Sequence, residues 1–563
     1  MCPPIPDRVS CMPKAGSGFS KSHIAWLLVV VALLWFVNLD LRNLAEADEG
    51  RYTEIPREML ASGDWLTPRL NALKYFEKPA LQYWATAAAF AFFGEHIWTA
   101  RLWNALTGFF GIALAFFAGW RLFGTQAGTY AALILASSVL YVVAGHIITL
   151  DMGVTFFMNL GVIGFVLAQQ PTAGSRENWL WMHLAWAAFA LALLSKGLIG
   201  LVLPGAALVA YTMMQRDWVM WRRLHLVSGL TLFFALGAPW FIAVTLVNPE
   251  FFHFFFIHEH FGRFASTEHG RFQPWWYFLP ILFLGILPWV TLLPQALVSA
   301  WKRATADRRE FEPGRFLVIW ILLVFVFFSV SKSKLTLYVL PILPALALLM
   351  GRQLATMSGR ALFWHGIPGV ILAVAAAYFS SAVGRWGNAE TPHALYAAYV
   401  PWVLAAAVLW LVAALASVFL FRAGMTQRGV IVLAMGGLVS GQLLVTGAEA
   451  LSPAYSAVHI AEKIKPFLKP GVPFYSVGMH DLTLPFYIKR TFTLVAYKGE
   501  LAFGIEQEPL GYIPDYETFK QVWVAQAYAL AIMPPQVFFE FEQAGVPMRV
   551  IATDARRVVV TRP

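Results

Sequence analysis

The chain has little charge and almost no cysteine. Only 13% of its 563 residues are charged, whereas 59% are hydrophobic, a composition that excludes an ordinary soluble domain. The two cysteines, Cys2 and Cys11, both precede the first apolar run. This excludes a disulfide framework and a spaced cysteine metal site, and it argues against redox chemistry.

Several familiar motifs are also missing from the sequence. It has no phosphate-binding loop, no dinucleotide glycine pattern after a strand and no zinc-protease helix, so soluble nucleotides are not expected as substrates. Its apolar runs do not alternate as barrel strands do, and they reach about 20 residues, the length of a membrane-spanning helix. The net charge of +10 comes from short basic clusters between these runs, which retention on the cytoplasmic side explains better than nucleic-acid binding.

Thirteen apolar runs are predicted to cross the membrane as helices. The first follows Lys14 and Lys21 without a small-residue cleavage site, which predicts a retained helix with its N-terminus inside. The runs lie near residues 23–40, 101–120, 126–144, 152–169, 178–194, 197–214, 225–247, 277–299, 316–331, 337–356, 361–383, 400–421 and 429–447.

One further apolar segment, residues 78–98, decides the orientation of everything after it. If it lies along or dips into the outer leaflet, basic clusters such as Arg216, Arg222 and Arg223 fall in cytoplasmic loops, as the positive-inside rule requires. We therefore predict an all-α transmembrane domain, residues 1–450, with a long first outer loop, residues 41–100. Five short β-like runs after residue 450 predict a small outer α/β domain, residues 451–563. They are "VPFYSV" (472–477), "FTLVAY" (492–497), "AYALAIM" (527–533), "MRVIA" (548–552) and "RVVVT" (557–561).

In this topology the polar residues of the membrane part gather on one side. Ionisable groups at one depth of a helical bundle usually line a site or a pathway, and scattered charges would need only local partners. The gathered residues are Asp48, Glu49, Arg51, Tyr52, Tyr75, Glu77 and Lys78 in the first outer loop, then His146, Asp151, Lys196, His258, Glu259, His260, Arg263, Lys332, Lys334 and Tyr338.

Simpler interpretations exist for several of these residues. Glu54, Arg57 and Glu58 are predicted to form surface pairs at i,i+3 and i,i+4 spacing on an interfacial helix. Lys78 and Lys196 could instead extend to the interface from helix ends, and the aromatic 251–277 stretch could be an interfacial belt. His258, His260 and Glu77 suit a divalent metal, but histidines at i,i+2 lie on different helix faces, which favours ordinary loop histidines.

The run "DEGRYTEIPREMLASGDWLTPRLNALKYFEKPALQYW" (48–84) closely resembles the first outer loop of the bacterial 4-amino-4-deoxy-L-arabinose lipid A transferases. "SKGLIGLV" (195–202), "EHFGRF" (259–264) and "SKSKLTLYVLP" (331–341) support the resemblance. These enzymes are C-type glycosyltransferases, related to the protein O-mannosyltransferases. The resemblance implies thirteen spans, membrane-parallel helices in the first outer loop and a periplasmic C-terminal domain.

The resemblance also implies an activity in the Gram-negative inner membrane. The sugar would pass from undecaprenyl phosphate to lipid A phosphates, which lowers the negative charge that polymyxin recognises. It implies that Lys78 and Arg263 bind the carrier-lipid phosphate, with Arg51, Tyr52, Tyr75, Lys196 and Tyr338 in the substrate site. Asp48 corresponds to the acidic position of the superfamily, Asp151 is a second acid, and Glu77 and His258 resemble a family metal position, with zinc as the candidate ion. We expect a monomer, with no nucleic-acid partner.

The chemistry suggests direct displacement with inversion. A phosphate monoester has a second pKa of about 6 and is already an anionic nucleophile, so Asp48 need not accept a proton. Our hypothesis is that Asp48 and Asp151 pair with the protonated 4-amino group of the sugar or with another cation. Two alternatives stay open: another lipid-linked glycosyltransferase, such as a protein O-mannosyltransferase, and a lipid flippase, which would predict two-sided access and internal repeats.

Overall fold

The apolar runs of the sequence form the long helices of the protein. The computed structural model describes residues 19–262, 272–302, 311–509 and 511–562. Within these ranges nine helices are long and apolar enough to cross a bilayer. They are Ile97–Phe123, Leu150–Ala168, Ser175–Lys196, Leu226–Val247, Pro313–Val330, Thr336–Ala355, Gly359–Arg385, His393–Arg422 and Thr426–Tyr455.

Four shorter or broken elements complete the apolar set. Helices Thr125–Ser137 and Val139–His146 form a pair bent by 63°, and Phe278–Gly285 and Val290–Lys302 form a pair bent by 114°. Helix α1 (Lys21–Phe36) and helix Ile199–Gln215 are apolar but shorter. Each of the thirteen predicted runs coincides with one of these elements or with one of the nine long helices. The prediction of a multi-pass α-helical membrane protein is therefore confirmed.

Small residues bring the helices of the membrane part into close contact. A Cβ atom on Gly119 would lie 2.6 Å from the Cα of Gly128, and one on Gly351 would lie 2.7 Å from the backbone of Ala127 and of Ala131. Backbones that approach this closely gain van der Waals contact that larger side chains would prevent. Helix Thr125–Ser137 is thus packed tightly between Ile97–Phe123 and Thr336–Ala355.

Between α1 and Ile97–Phe123 the chain forms two helices joined by a small hairpin. Helix α2 (Asp48–Ser62) ends at Gly63, whose left-handed φ of +73° lets its N–H donate to the Met59 carbonyl. Strands β1 (Arg69–Leu70) and β2 (Leu73–Lys74) are antiparallel. Helix α3 (Leu81–Phe93) has 13 residues, about 20 Å at 1.5 Å per residue, too short to cross a bilayer. This helix is shorter than each unbroken helix that coincides with a predicted span, and its orientation in the membrane stays a prediction.

The C-terminal region folds around a six-stranded mixed sheet. Its strands are β3 (Phe474–Val477), β4 (Thr493–Val495), β5 (Tyr512–Ile513), β6 (Leu530–Met533), β7 (Arg549–Thr553) and β8 (Val558–Thr561), in the order β5-β4-β3-β6-β8-β7. Helices Val458–Ile464, Leu484–Ile488, Ala502–Gln507, Tyr516–Ala525 and Pro535–Gln543 surround it. All five predicted strand runs are confirmed; the two-residue strand β5 was not predicted.

Alternation along β3 and β6 fills two separate hydrophobic cores. Phe474 and Ile532 contribute to one core, whereas Tyr475 and Ala531 contribute to the other. Both strands are buried along their whole length, as expected for central strands covered on both faces. The sheet therefore belongs to a three-layer α/β domain.

This domain shares a third core with the first loop region. Leu482, Phe486 and Leu501 of the C-terminal domain are buried in the same cluster as Ile55 of α2 and Phe76. At the closest approach, a Cβ on Gly50 would lie 2.4 Å from the Leu482 carbonyl oxygen. Helix α2 is thus held between the membrane helices and the C-terminal domain.

Candidate active site

Asp48 and Glu49, adjacent at the start of α2, have opposite environments. The Asp48 side chain is 46% exposed and accepts a hydrogen bond from Arg51 at 2.7 Å. The Glu49 side chain is 1% exposed. Both carboxylates interact favourably with the positive end of the helix dipole, but only Asp48 faces space that a ligand can enter.

Glu49 holds the first loop to the membrane helices. Arg42 donates to its two oxygens at 2.6 and 2.8 Å, and Arg101 donates from Nε and Nη2 at 3.0 and 3.1 Å. Arg101 also donates to the Leu39 and Arg42 carbonyls. Burial opposes ionisation of Glu49, but the charges of Arg101 and Arg42 outweigh it and hold the pKa well below its ordinary value. Glu49 is therefore a structural residue.

Arg51 lies at the centre of the site, between α2 and the C-terminal domain. Its guanidinium pairs with Asp48 on one side and with Glu500 at 2.5 Å on the other, and it lies 5.6 Å from the Tyr52 ring centroid. Glu500 belongs to a short turn of the C-terminal domain, Gly499–Leu501. Burial raises the pKa of Glu500, and the charge of Arg51 opposes that rise. The C-terminal domain thus contributes a carboxylate directly to the site.

Lys78 and Glu77 lie just before α3, beside the same cluster. Lys78 donates to the Glu77 carbonyl at 2.8 Å and lies 3.6 Å from Glu259, which comes from the π-helix His253–Gly262. The Glu77 carboxylate is within electrostatic range of Tyr52, Tyr75 and Glu500. Lys78 is therefore next in sequence to a carboxylate of the cluster around Arg51 and is bonded to its backbone.

A second ion pair joins two membrane helices next to this cluster. Asp151, in the first turn of Leu150–Ala168, pairs with Lys196 in the last turn of Ser175–Lys196. The Lys196 ammonium lies 4.9 Å from the Tyr338 ring centroid and within electrostatic range of Asp48. Residues separated by nearly 300 positions thus meet at one place.

Comparison with known proteins identifies this arrangement. The Dolichyl-phosphate-mannose-protein mannosyltransferase family model matches residues 22–255, and the Aminoarabinose transferase C-terminal domain model matches residues 460–562. The structure superposes on that of ArnT from Cupriavidus metallidurans bound to undecaprenyl phosphate with a TM-score of 0.91 and 40% identity, covering 96% of this chain and 98% of that one. The chain belongs to the aminoarabinose transferase family.

Curated members of the family agree with this assignment. The undecaprenyl phosphate-aminoarabinose arabinosyl transferase of Edwardsiella ictaluri is 32% identical over 67% of this chain and 68% of that protein. A Pseudomonas fluorescens enzyme of the same name is 34% identical over 62% of this chain and 60% of that protein. The chain thus aligns with about 60% of the length of the first curated relatives.

The structure brings together most of the predicted site residues of this family member. Asp48, Arg51, Tyr52, Tyr75 and Lys78 lie around α2, and Asp151, Lys196 and Tyr338 lie beside them, as the preceding contacts show. Arg263 lies outside the described residues, as does the His260 side chain. Their assignment to the site stays a prediction.

Other residues of the predicted gathering have structural contacts. Both ring nitrogens of His146 lie 2.7 Å from backbone carbonyl oxygens, those of Val142 and Trp35. Lys334 donates to the carbonyls of Gln273 and Ser331. These two side chains are thus held by backbone carbonyl groups.

The prediction that Glu54, Arg57 and Glu58 form surface pairs is wrong. Glu54 and Arg57 do pair, at 2.5 Å, but their side chains are 0% and 9% exposed. Glu58 is buried and accepts hydrogen bonds from the backbone N–H groups of Asn71 and Ala72 in the β-hairpin. The C-terminal domain covers this face of α2, which sequence periodicity alone does not reveal.

The predicted metal position of this family member has no third ligand in the part of the chain that the structure describes. No group of three His, Cys, Asp or Glu side chains there could hold a metal ion. His258 lies 3.6 Å from Glu259, and Glu77 lies among tyrosines and acids. The described residues thus do not form a metal centre, and the role of Glu77 and His258 toward a metal stays a prediction.

Sequence reasoning missed the site residues of the C-terminal domain. Glu500 pairs with Arg51, and the buried imidazole of His480 lies within range of the same guanidinium; burial lowers its pKa to about 4. A third contact fixes the domain: Arg557 pairs with buried Asp481 and, at 3.3 Å, with Glu46, two residues before Asp48. No spacing in the sequence marks these residues, since their partners in the first loop, Arg51 and Glu46, lie more than 400 positions away.

Proposed function

We propose that the chain transfers 4-amino-4-deoxy-L-arabinose from undecaprenyl phosphate to phosphate groups of lipid A. The observation that carries the proposal is the position of Arg51 and Lys196 near Asp48, with Lys78 beside Glu77 of the same cluster. Cations gathered from distant segments suit a lipid-linked phosphate. The names of the curated relatives and the carrier bound by the ArnT structure support this choice of donor.

We propose that the site faces the periplasm from the inner membrane. Support comes from the basic clusters, which the positive-inside rule assigns to the cytoplasmic loops when residues 78–98 do not cross. Both substrates keep their hydrocarbon chains in the outer leaflet in this arrangement, and only their polar heads enter the site. The reacting atoms then meet without extraction of either lipid, and transfer would protect the cell from polymyxin by reducing the negative charge of lipid A.

The proposed reaction is a single displacement. A lipid A phosphate oxygen attacks the anomeric carbon, the bond from that carbon to the carrier phosphate oxygen breaks, and both electrons leave with undecaprenyl phosphate. Attack opposite the leaving group inverts the configuration. The nucleophile is already anionic at neutral pH, so no general base is required.

The leaving phosphate gains charge as the bond breaks, and cations must stabilise it. Lys78 provides a compact ammonium, and Arg51 can donate two parallel hydrogen bonds to phosphate oxygens. Arg263 is proposed as a further ligand from the resemblance. No step is assigned to a metal, since the described residues do not form a centre for one.

The two predicted acids then have different proposed roles. Asp151 is engaged by Lys196, so it holds that ammonium above the Tyr338 ring and positions it toward the substrates. Asp48 is half exposed beside Arg51 and fixes the orientation of the guanidinium while it faces the incoming head groups. Neither role requires proton transfer.

Transfer by the purified chain tests the proposal. Incubation with undecaprenyl phosphate-aminoarabinose and lipid A is expected to yield lipid A heavier by the sugar, measured by mass spectrometry. Lys78→Ala is expected to slow transfer by about a hundredfold. Lys74→Ala is the matched control, because Lys74 lies in the same loop but pairs with Glu250 at 2.6 Å. Absence of product, or equal rates for the two variants, would contradict the proposal.

A further inference from the structure

Two tyrosine hydroxyls beside Arg51 have no hydrogen-bond partner within the described residues. Tyr75 and Tyr83 are 2% and 0% exposed, and the OH groups of both are buried without a partner. The Nε of Arg51 is in the same condition. Buried polar groups in folded proteins are nearly always hydrogen-bonded. Several such groups in one place therefore indicate that a polar ligand completes the site.

Carboxylates surround these hydroxyls. Tyr75 and Tyr83 both lie within electrostatic range of Glu77 and Glu500, and Tyr83 also of Asp48. Glu500 is itself largely buried, with its side chain 17% exposed. The missing ligand must therefore bind next to negatively charged side chains at a buried position, where water screens electrostatic interactions poorly.

The charges of the cluster favour a cation. Among the described residues three cations, Arg51, Lys78 and Lys196, face five carboxylates. These carboxylates are Asp48, Glu77, Asp151, Glu259 and Glu500. A phosphate carrying a neutral sugar would add to this negative charge, whereas a sugar with a protonated amine would offset it. A primary ammonium has three N–H donors, and a carboxylate and two phenol groups together offer four acceptor oxygens. The Nε–H of Arg51 needs an acceptor, which an oxygen of the sugar can supply.

We propose that Glu500 recognises the protonated amino group of the donor sugar, with the hydroxyls of Tyr75 and Tyr83 as the further acceptors. The inference rests on the proposed function and deepens it, since it makes the C-terminal domain the part that selects the sugar. Glu500 is paired with Arg51, as Asp151 is with Lys196, but it is Glu500 that lies within electrostatic range of both tyrosine hydroxyls. Asp48 is far more exposed to solvent. Discrimination for an amine is largest where the opposing charge is buried and hydrogen-bonded.

The test compares two carrier-linked donors with the full-length chain. One donor carries aminoarabinose, and the other carries arabinose, with a hydroxyl in place of the amine. Glu500→Gln is expected to lower kcat/KM for the amino donor about 10- to 100-fold, the usual effect of losing a hydrogen bond to a charged group. For the hydroxyl donor kcat/KM should change less than about threefold. Glu500→Asp should retain part of the preference.

Two controls separate sugar recognition from a structural role. Glu508→Gln removes another carboxylate that joins the C-terminal domain to the β-hairpin, through Arg69 at 2.8 Å, and should leave the donor preference unchanged. Binding of undecaprenyl phosphate without sugar should be unchanged in Glu500→Gln. If that binding weakened, or both donors lost rate equally, Glu500 would act only by holding Arg51, and the inference would be overturned.

The remaining outcomes also decide the matter. An unchanged donor preference in Glu500→Gln would overturn the inference while leaving the proposed function intact. No transfer from either donor by the unaltered chain would overturn the proposed function and this inference with it. If Glu500→Gln fails to fold, judged by its melting temperature, Tyr83→Phe replaces it in the test: its preference for the amino donor must fall.

Discussion

Replacing Glu49 by glutamine should destabilise the protein without touching the substrate site. The substitution leaves the shape of the side chain but removes its charge, so Arg42 and Arg101 remain buried with no carboxylate between them. Burial without a counter-ion is the costly case for a charged group. Glu49→Gln therefore tests whether Glu49 has a structural role while the adjacent Asp48 acts in the substrate site.

The structure sets the size of the effect. Removing one partner of a buried ion pair costs about 3–5 kcal/mol, and Glu49 is the shared partner of two arginines. An unfolding entropy of about 2.1 cal/mol/K per residue, taken over 563 residues, corresponds to roughly 1 °C per kcal/mol. The melting temperature should thus fall by at least about 3 °C, and by more if the unit that unfolds is smaller than the whole chain.

Thermal unfolding in detergent, measured beside transfer activity, provides the assay. Asp48→Asn should change stability by less than about 1 kcal/mol, because the Asp48 carboxylate is half exposed and Glu500 still pairs with Arg51. It should nevertheless reduce transfer. Arg42→Met should cost less than half as much stability as Glu49→Gln, because Glu49 and Arg101 still balance each other. Equal melting temperatures for Glu49→Gln and Asp48→Asn would refute the reasoning.

Three further predictions follow from other contacts. Lys196→Ala should lower kcat about tenfold or more, and adding Asp151→Asn should lower kcat little further, because the two residues act as a pair. Steady-state kinetics of the two single variants and the double variant test this coupling, and additive losses of kcat would contradict it. Burial and the nearby Asp481 raise the pKa of Glu46 to about 8, whereas the pKa of a glutamate in the unfolded chain is about 4.3. Between these two pH values the folded protein holds a proton that the unfolded chain has released, so this contribution to stability is lost as pH rises toward 8. Glu46→Gln should therefore flatten the fall of melting temperature across this pH range, and an unchanged slope would contradict the prediction. Gly50→Ala places a methyl group against the backbone carbonyl of Leu482 and should weaken the contact between α2 and the C-terminal domain. Limited proteolysis should then show faster cleavage after residue 450. Unchanged cleavage would contradict this prediction and show that the contact can adjust.

The membrane part could be predicted from sequence because its determinants are local. A run of about 20 apolar residues has one stable arrangement in a bilayer, and each predicted run coincides with a helical element. The five strand runs after residue 470 could be predicted in the same way. Strand β5 has only two residues, too few for a recognisable pattern of apolar residues. Lys78 and Arg51 were found because a short, charged motif beside an apolar helix is itself unusual.

What the sequence did not reveal depends on contacts between distant segments. Glu54 and Arg57 are separated by three residues, so their pairing was predictable, but their burial depends on a domain folded from residues hundreds of positions later. Glu500 has an unremarkable local sequence and acquires its role only by reaching Arg51. Glu49 and Asp48 are chemically alike, and only the positions of Arg42 and Arg101 distinguish them.

The core shared by α2 and the C-terminal domain limits how the protein can be recombined. Ile55 packs in one core with Leu482, Phe486 and Leu501. The Leu482 carbonyl lies so close to Gly50 that no side chain fits there. A chimera that took its last hundred residues from another relative would therefore need that relative's 48–84 segment as well. The two stretches lie hundreds of positions apart in the chain, yet they should be inherited, exchanged and engineered as one unit.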